Sequence, residues 1–142
     1  MIGQIAAAAV GTVAFALLFG VPKKYYLYCA ACGGAGWWLY VLLGGYGATA
    51  AESTFFATVL VIVLSRFFAV WERCPVTVFL ISGIIPLVPG AGIYWTAYYL
   101  VTNRLSLALS HGFEAVKAAV AIVLGIVVVF ELPHRLFRIA KR

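Results

Sequence analysis

Long apolar runs follow one another along the chain, and short segments between them hold most of its charges. A bilayer core of about 30 Å needs a helix of ~20 residues, and ~17 still suffice. Five runs reach this length, at residues 2–20, 27–45, 54–70, 76–101 and 113–132. They are continuous rather than alternating, which favours helices over strands. The pattern predicts an all-α membrane protein, a polytopic bundle of five transmembrane helices in one domain.

The composition agrees with this prediction. Hydrophobic residues make up 65% of the 142 and charged residues 10%, whereas a soluble domain carries about 25% charged residues. The mean hydropathy is +1.10. The net charge of +6 does not indicate nucleic acid, because the basic residues flank apolar runs and are placed to contact lipid headgroups. The first run lacks the basic segment of a secretory signal, so we expect it to be retained as a span.

The distribution of Lys and Arg predicts the orientation of the chain. When the loops are assigned alternately to the two sides, eight of these residues fall on one side and two on the other. The side that is rich in Lys and Arg is normally cytoplasmic. We therefore expect the N-terminus outside, the C-terminus inside, and residues 133–142 as a basic cytoplasmic tail.

The fourth run contains the most informative segment. Pro86 and Pro89 lack the N–H groups that would bond to the carbonyls of Ser82 and Ile85, and about 15 Å of helix precedes them, which places them near the bilayer midplane. The fourth helix is therefore predicted to be broken between Pro86 and Gly90. Broken helices hold cargo and ions in secondary transporters, although a simple proline kink is the alternative. The candidate substrate-binding residues are Ser82, Gly83, Pro86, Pro89, Gly90, Gly92 and Tyr94.

Four ionisable residues lie within or beside the runs. Arg66 lies one turn before the inner end of the third run, so we expect its side chain to reach the headgroups, with a site role as the alternative. Glu52 is placed to favour a helix N-terminus. Glu114 and Lys117 are three residues apart on one helical face, either as a structural ion pair or as a coupling carboxylate with its counter-charge. If that helix begins at Leu105 instead of near Phe113, the pair lies deeper in the membrane, which favours the coupling role over the structural one.

Small residues predict close helix packing. Gly3, Ala7 and Gly11 repeat every four residues, as do Ala30 and Gly34, and this spacing lets helices approach in lipid. Mid-span Trp37 and Trp38 could fill a subunit contact or a cavity wall. Cys29 and Cys32 lack the further ligands that zinc needs, so we interpret them as packing residues. The sequence has no nucleotide loop, nucleophile motif or metal-binding helix motif, and we predict neither an enzyme nor a cofactor or metal site.

Several segments, in order along nearly the whole chain, resemble the threonine/serine exporter family. The chain is most similar to its small, membrane-only subunit, which corresponds to the C-terminal half of the fused exporters. The segments that carry the resemblance are FGVPKK (19–24), GGAGW (33–37), ESTFF (52–56), SR (65–66), CPVTVF (74–79), IIPLVPGAGIY (84–94), EA (114–115) and AIVLG (121–125).

The resemblance implies a subunit of a two-component secondary transporter in the bacterial inner membrane. Its cargo would be threonine and serine, or a small dicarboxylate such as succinate, as for some two-component members. It also implies a partner, the larger subunit, with a soluble N-terminal part and its own spans. The alternative is a non-transporting subunit that docks and stabilises this partner. Pairing between copies of the present chain is left open.

Overall fold

The computed structural model describes residues 1–132, and the predicted basic tail at 133–142 lies outside these residues. All regular structure in this part is helical, without strands. The helices are α1 (Ile2–Leu18), α2 (Tyr26–Gly45), α3 (Ala50–Glu72), α4 (Thr77–Ile84), α5 (Gly90–Val101) and α6 (Leu105–Glu131), with short 3-10 turns at Lys23–Tyr25 and Ile85–Leu87.

The helices agree in part with five predicted spans. Within residues 1–132, three helical segments are long and apolar enough to cross a membrane, at Lys23–Gly45, Ala50–Glu72 and Leu105–Glu131. The pair α4 and α5 passes the same test together as one broken span, and α1 is a shorter apolar helix. The chain is therefore a helical protein with three to four segments able to span a membrane. The fifth span and the orientation of the termini stay predictions.

Local signals explain where two of the helices begin. α3 starts after Thr49, whose side chain accepts from the Glu52 N–H while the Glu52 carboxylate accepts from the Thr49 N–H, so that two exposed donors of the helix end are bonded. α6 begins at Leu105, with Arg104 as its N-cap residue and Asn103, in a left-handed conformation, just before it. The predicted start near Phe113 is therefore wrong and the earlier one is right, because nothing between Leu105 and Gly112 interrupts the helix.

The core lies where α2 packs against α1, α3 and α4. Close approach depends on glycine: a Cβ at Gly33 would lie 1.9 Å from the Thr12 Oγ1 on α1, and one at Gly36 would lie 2.4 Å from a methyl of Val61 on α3. Cys29 and Cys32 are free and fully buried in this core, which confirms them as packing residues.

The small residues of α1 do not all pack as predicted. Gly34 of α2 does face α1, near Ala9 and Ile5, but the positions of Gly3 and Gly11 open onto empty space. The prediction for Gly3 and Gly11 is wrong within this chain. α1 has small residues on more than one side, and it turns its Thr12 and Ala16 face to the core instead.

Candidate functional site

The fourth apolar run is broken as predicted. α4 ends at Ile84, a 3-10 turn covers Ile85–Leu87, Val88 is extended, and α5 begins at Gly90. The two halves are bent by 47°. Because Pro86 and Pro89 have no N–H to continue the helix, the break occurs where the sequence places them.

The break satisfies its carbonyls and leaves N–H groups for other partners. The Ile85 N–H donates to the Ser82 carbonyl, and the Val88 N–H donates to the Ile85 carbonyl at 3.1 Å. The two carbonyls that the prolines cannot bond to thus accept from other N–H groups of the same chain, which the 3-10 turn supplies. At the start of α5 no side chain caps the helix. The first-turn N–H groups of Ala91 and Gly92 thus lack acceptors within α5, at its positive end.

A cavity of about 420 Å³ lies beside this break. One wall is made by residues 86–92 and by the face of α6 that carries Glu114, Ala115 and Ala118. The other wall comes from the end of α2 and the start of α3. Its volume is within the range of about 300–1,000 Å³ that is usual for small-molecule sites. The candidate residues that line it are Pro86, Pro89, Gly90, Gly92 and Glu114.

Glu114 brings a negative charge to the same wall as the N-terminus of α5. Gly92 permits this, since a Cβ there would lie 3.1 Å from the Cβ of Ala115, so that α5 and α6 approach closely next to Glu114. The Glu114 carboxylate pairs with the Lys117 ammonium at 2.5 Å, and both side chains are about half exposed. The predicted ion pair is confirmed as a contact. Lys117 also lies over the Phe113 ring, beside the cavity lining.

The other wall contains Trp37, Tyr40, Ala50 and Thr54, none of which is among the predicted binding residues. Trp37 lines the cavity, which is one of the two roles left open for it, and Tyr40 stacks on it with ring centroids 5.1 Å apart. Thr54 also lines the cavity, with its hydroxyl donating to the Ala50 carbonyl at 2.7 Å. Trp37 and Thr54 occur in segments that carry the family resemblance, but no spacing rule connects them to the break.

Comparison with known families agrees with the resemblance seen in the sequence. The family model described as "Threonine/Serine exporter, ThrE" matches residues 4–131, which is nearly the whole chain. The chain belongs to this family. It is therefore a component of a threonine/serine exporter-type transporter, from a family of transporters rather than enzymes. No solved structure matches the exporter chain.

Three of the candidate binding residues lie outside the cavity. The Ser82 hydroxyl is buried and donates to the Val78 carbonyl at 3.3 Å. Gly83 packs against Cys32 and Val61 in the core. Tyr94 is 62% exposed on α5 and meets Trp95 edge-on. These residues are close to the break in sequence, but Ser82 and Gly83 on α4 and Tyr94 on α5 do not face the cavity.

The prediction that the Arg66 side chain reaches the headgroups is wrong. Its side chain is 4% exposed, and its guanidinium donates to the carbonyls of Val129 and Leu132 at the end of α6. It also lies over the Phe130 ring. The last carbonyls of a helix lack helical donors and carry partial negative charge, so a buried cation is stabilised there. Arg66 thus joins α3 to the end of α6, away from the cavity.

Glu52 acts as predicted at a helix N-terminus. Its carboxylate accepts from both the N–H and the hydroxyl of Thr49, at 2.8 and 2.9 Å, and it is not part of the cavity lining. Within residues 1–132 no group of three or more His, Cys, Asp or Glu side chains is arranged to hold a metal ion.

Proposed function

We propose that this chain is the membrane subunit of a secondary transporter that exports threonine or serine, and that the cavity of about 420 Å³ holds the amino acid. One observation carries the proposal. The N-terminal turn of a helix and a carboxylate border the same cavity, beside a break in an apolar segment. Such breaks house cargo sites in secondary transporters.

The two charges of an amino acid match the two charges of this wall. The N–H groups of Ala91 and Gly92 suit the cargo carboxylate, since helix N-termini favour anions. The Glu114 carboxylate suits the cargo ammonium, which would share it with Lys117 or displace Lys117 from it. A zwitterion thereby satisfies both ends of the wall at once.

Succinate is the second candidate cargo, and it fits this wall less well. One carboxylate could bind at the start of α5, but the other would face the like charge of Glu114. The position of Lys117 beside Glu114 favours succinate, because the Lys117 ammonium could bind the second carboxylate if its side chain turned away from Glu114. Threonine and serine can instead share the Glu114 carboxylate with Lys117 while the ion pair stays in place.

The remaining parts of the proposal concern partner, energy source and location. The sequence has no nucleotide-binding loop, so export would use the membrane potential or a proton gradient. We infer that the chain works with the larger subunit of the same family, which supplies a soluble N-terminal part and further spans. The proposed location is the inner membrane of a bacterium.

Efflux of labelled threonine, serine and succinate tests this function, in cells that make both subunits. Glu114→Gln should lower threonine and serine efflux by about tenfold or more, since hydrogen bonds to charged groups contribute ~1.5–3 kcal/mol. Glu72→Gln is the matched control, because Glu72 accepts from the Tyr28 hydroxyl at 2.8 Å and lies outside the cavity. Equal efflux from both variants at equal protein levels would refute the proposed site.

The alternative function is a non-transporting subunit that stabilises the larger one. It is favoured by surfaces that this chain does not use itself, since Gly3 and Gly11 open onto empty space and α5 has no buried residue. Liposomes that contain the larger subunit alone distinguish the two. Full export without the present chain would support the stabilising role and contradict a cargo site here.

A further inference from the structure

A second cavity also borders Trp37. It has a volume of about 290 Å³ and is lined by Gln4, Ala7 and Ala8 of α1 together with Trp37 and Pro86. Trp37 and Pro86 line the first cavity as well. Trp37 is therefore in contact with two neighbouring spaces, and the residues of α1 that border the second one include the small Ala7 and Ala8.

The indole N–H of Trp37 has no acceptor. Among residues 1–132, three buried side-chain polar atoms lack a hydrogen-bond partner, namely the Trp37 Nε1, the Ser53 Oγ and the Thr58 Oγ1. Only Trp37 of these three lines the cavity beside the break. A buried donor without an acceptor is costly, and an indole can only donate. The group that relieves this cost must therefore be an acceptor.

We propose that Trp37 is the residue that selects cargo with a side-chain hydroxyl. The inference rests on the proposed function: with the cargo carboxylate and ammonium at Ala91, Gly92 and Glu114, its side chain points to the wall of Trp37. A small turn of the indole, into the space that the second cavity provides, brings its N–H to the hydroxyl oxygen of serine or threonine. Alanine has no acceptor at this position, and the N–H then stays unpaired.

The first test compares export of serine with export of alanine in cells that make both subunits. Trp37→Phe keeps an aromatic ring but removes the N–H, so we expect the serine-to-alanine export ratio to fall by about 3- to 10-fold, which corresponds to the loss of one hydrogen bond. Trp38→Phe is the matched control, because Trp38 is 43% exposed and does not line either cavity. An unchanged ratio in Trp37→Phe, with serine export still sensitive to Glu114→Gln, would overturn this inference alone.

The second test needs no substitution of Trp37. The purified chain with ¹⁵N-labelled tryptophan gives up to four indole N–H signals, and the one of Trp37 is assigned by elimination with Trp38→Phe, Trp71→Phe and Trp95→Phe. Serine should shift this signal and alanine should not. Serine binding without a shift would refute the role of Trp37, whereas a chain that binds no serine, together with serine export insensitive to Glu114→Gln, would refute the proposed cargo site and this inference together.

Discussion

Gly33 gives the sharpest test of the packing between α1 and α2. A Cβ at this position would lie 1.9 Å from the Thr12 Oγ1, 2.8 Å from its Cβ and 3.0 Å from its Cγ2. A change of the Thr12 rotamer relieves the contact with the hydroxyl but not the contact with the Cβ. Since carbon atoms need about 3.5 Å, the two helices would have to separate by roughly 0.7 Å.

The control for Gly33→Ala is Gly44→Ala, on the same helix but with nothing within 4 Å of the added Cβ. Gly33→Ala gains about 1 kcal/mol of helix propensity, and Gly44→Ala gains less because Gly44 lies at the end of α2. The difference between the variants therefore gives a lower bound for the cost of the clash. Overpacking costs ~1–3 kcal/mol, and with contacts this short we expect Gly33→Ala to be about 2–3 kcal/mol less stable than Gly44→Ala.

Unfolding of the purified chain in a titration of denaturing detergent measures this difference. A second substitution, Thr12→Ala, removes two of the three clashing atoms, and it should therefore recover part of the stability lost by Gly33→Ala. If Gly33→Ala and Gly44→Ala unfold at the same detergent fraction, the close approach of α1 and α2 at this point is refuted.

Three further predictions follow from the ends and the break of the helices. Arg66→Met should cost about 1.5–3 kcal/mol of unfolding free energy because it leaves α6 carbonyls without their donor, whereas exposed Arg104→Met should cost little; equal losses would contradict the buried contact. Thr49→Ala removes the side-chain cap of α3 and should lower the free energy of unfolding by about 1 kcal/mol in the detergent titration. An unchanged unfolding midpoint would contradict the role of this cap. Pro89→Ala restores an N–H and should lower threonine efflux, unlike Pro75→Ala outside the break; undiminished efflux would show that the break is not required.

The break could be predicted from sequence because its causes are local. Pro86 and Pro89 remove donors wherever they occur in a helix, and the pairing of Glu114 with Lys117 follows from a spacing of three residues. The prolines do not predict which N–H groups the freed carbonyls accept from. The 3-10 turn at Ile85–Leu87 supplies these donors, and the extended Val88 that ends the turn is favoured by the following Pro89.

The rest of the site depends on which face each helix turns inward. α1 and α2 are apolar all round, so their hydrophobic pattern does not distinguish the core side from the lipid side. The spacing of Gly3 and Gly11 therefore predicts a helix contact that the structure does not contain, and the sequence leaves two roles open for Trp37. Arg66 was assigned to the headgroups for a similar reason, since its acceptors at Val129 and Leu132 lie more than sixty positions away along the chain.

The two walls of the cavity belong to different groups of helices. The charged wall is on α5 and α6, which pack as a hairpin, while the aromatic wall is on α2 and α3. This hairpin is held to the rest mainly along α3, where Thr58 lies against Gly125, and by the short segment at residues 85–89. If α6 were to slide along α3, the distance between the two walls would change. A solute that touches both walls would act as a spacer, and its departure would free the hairpin to adopt another position.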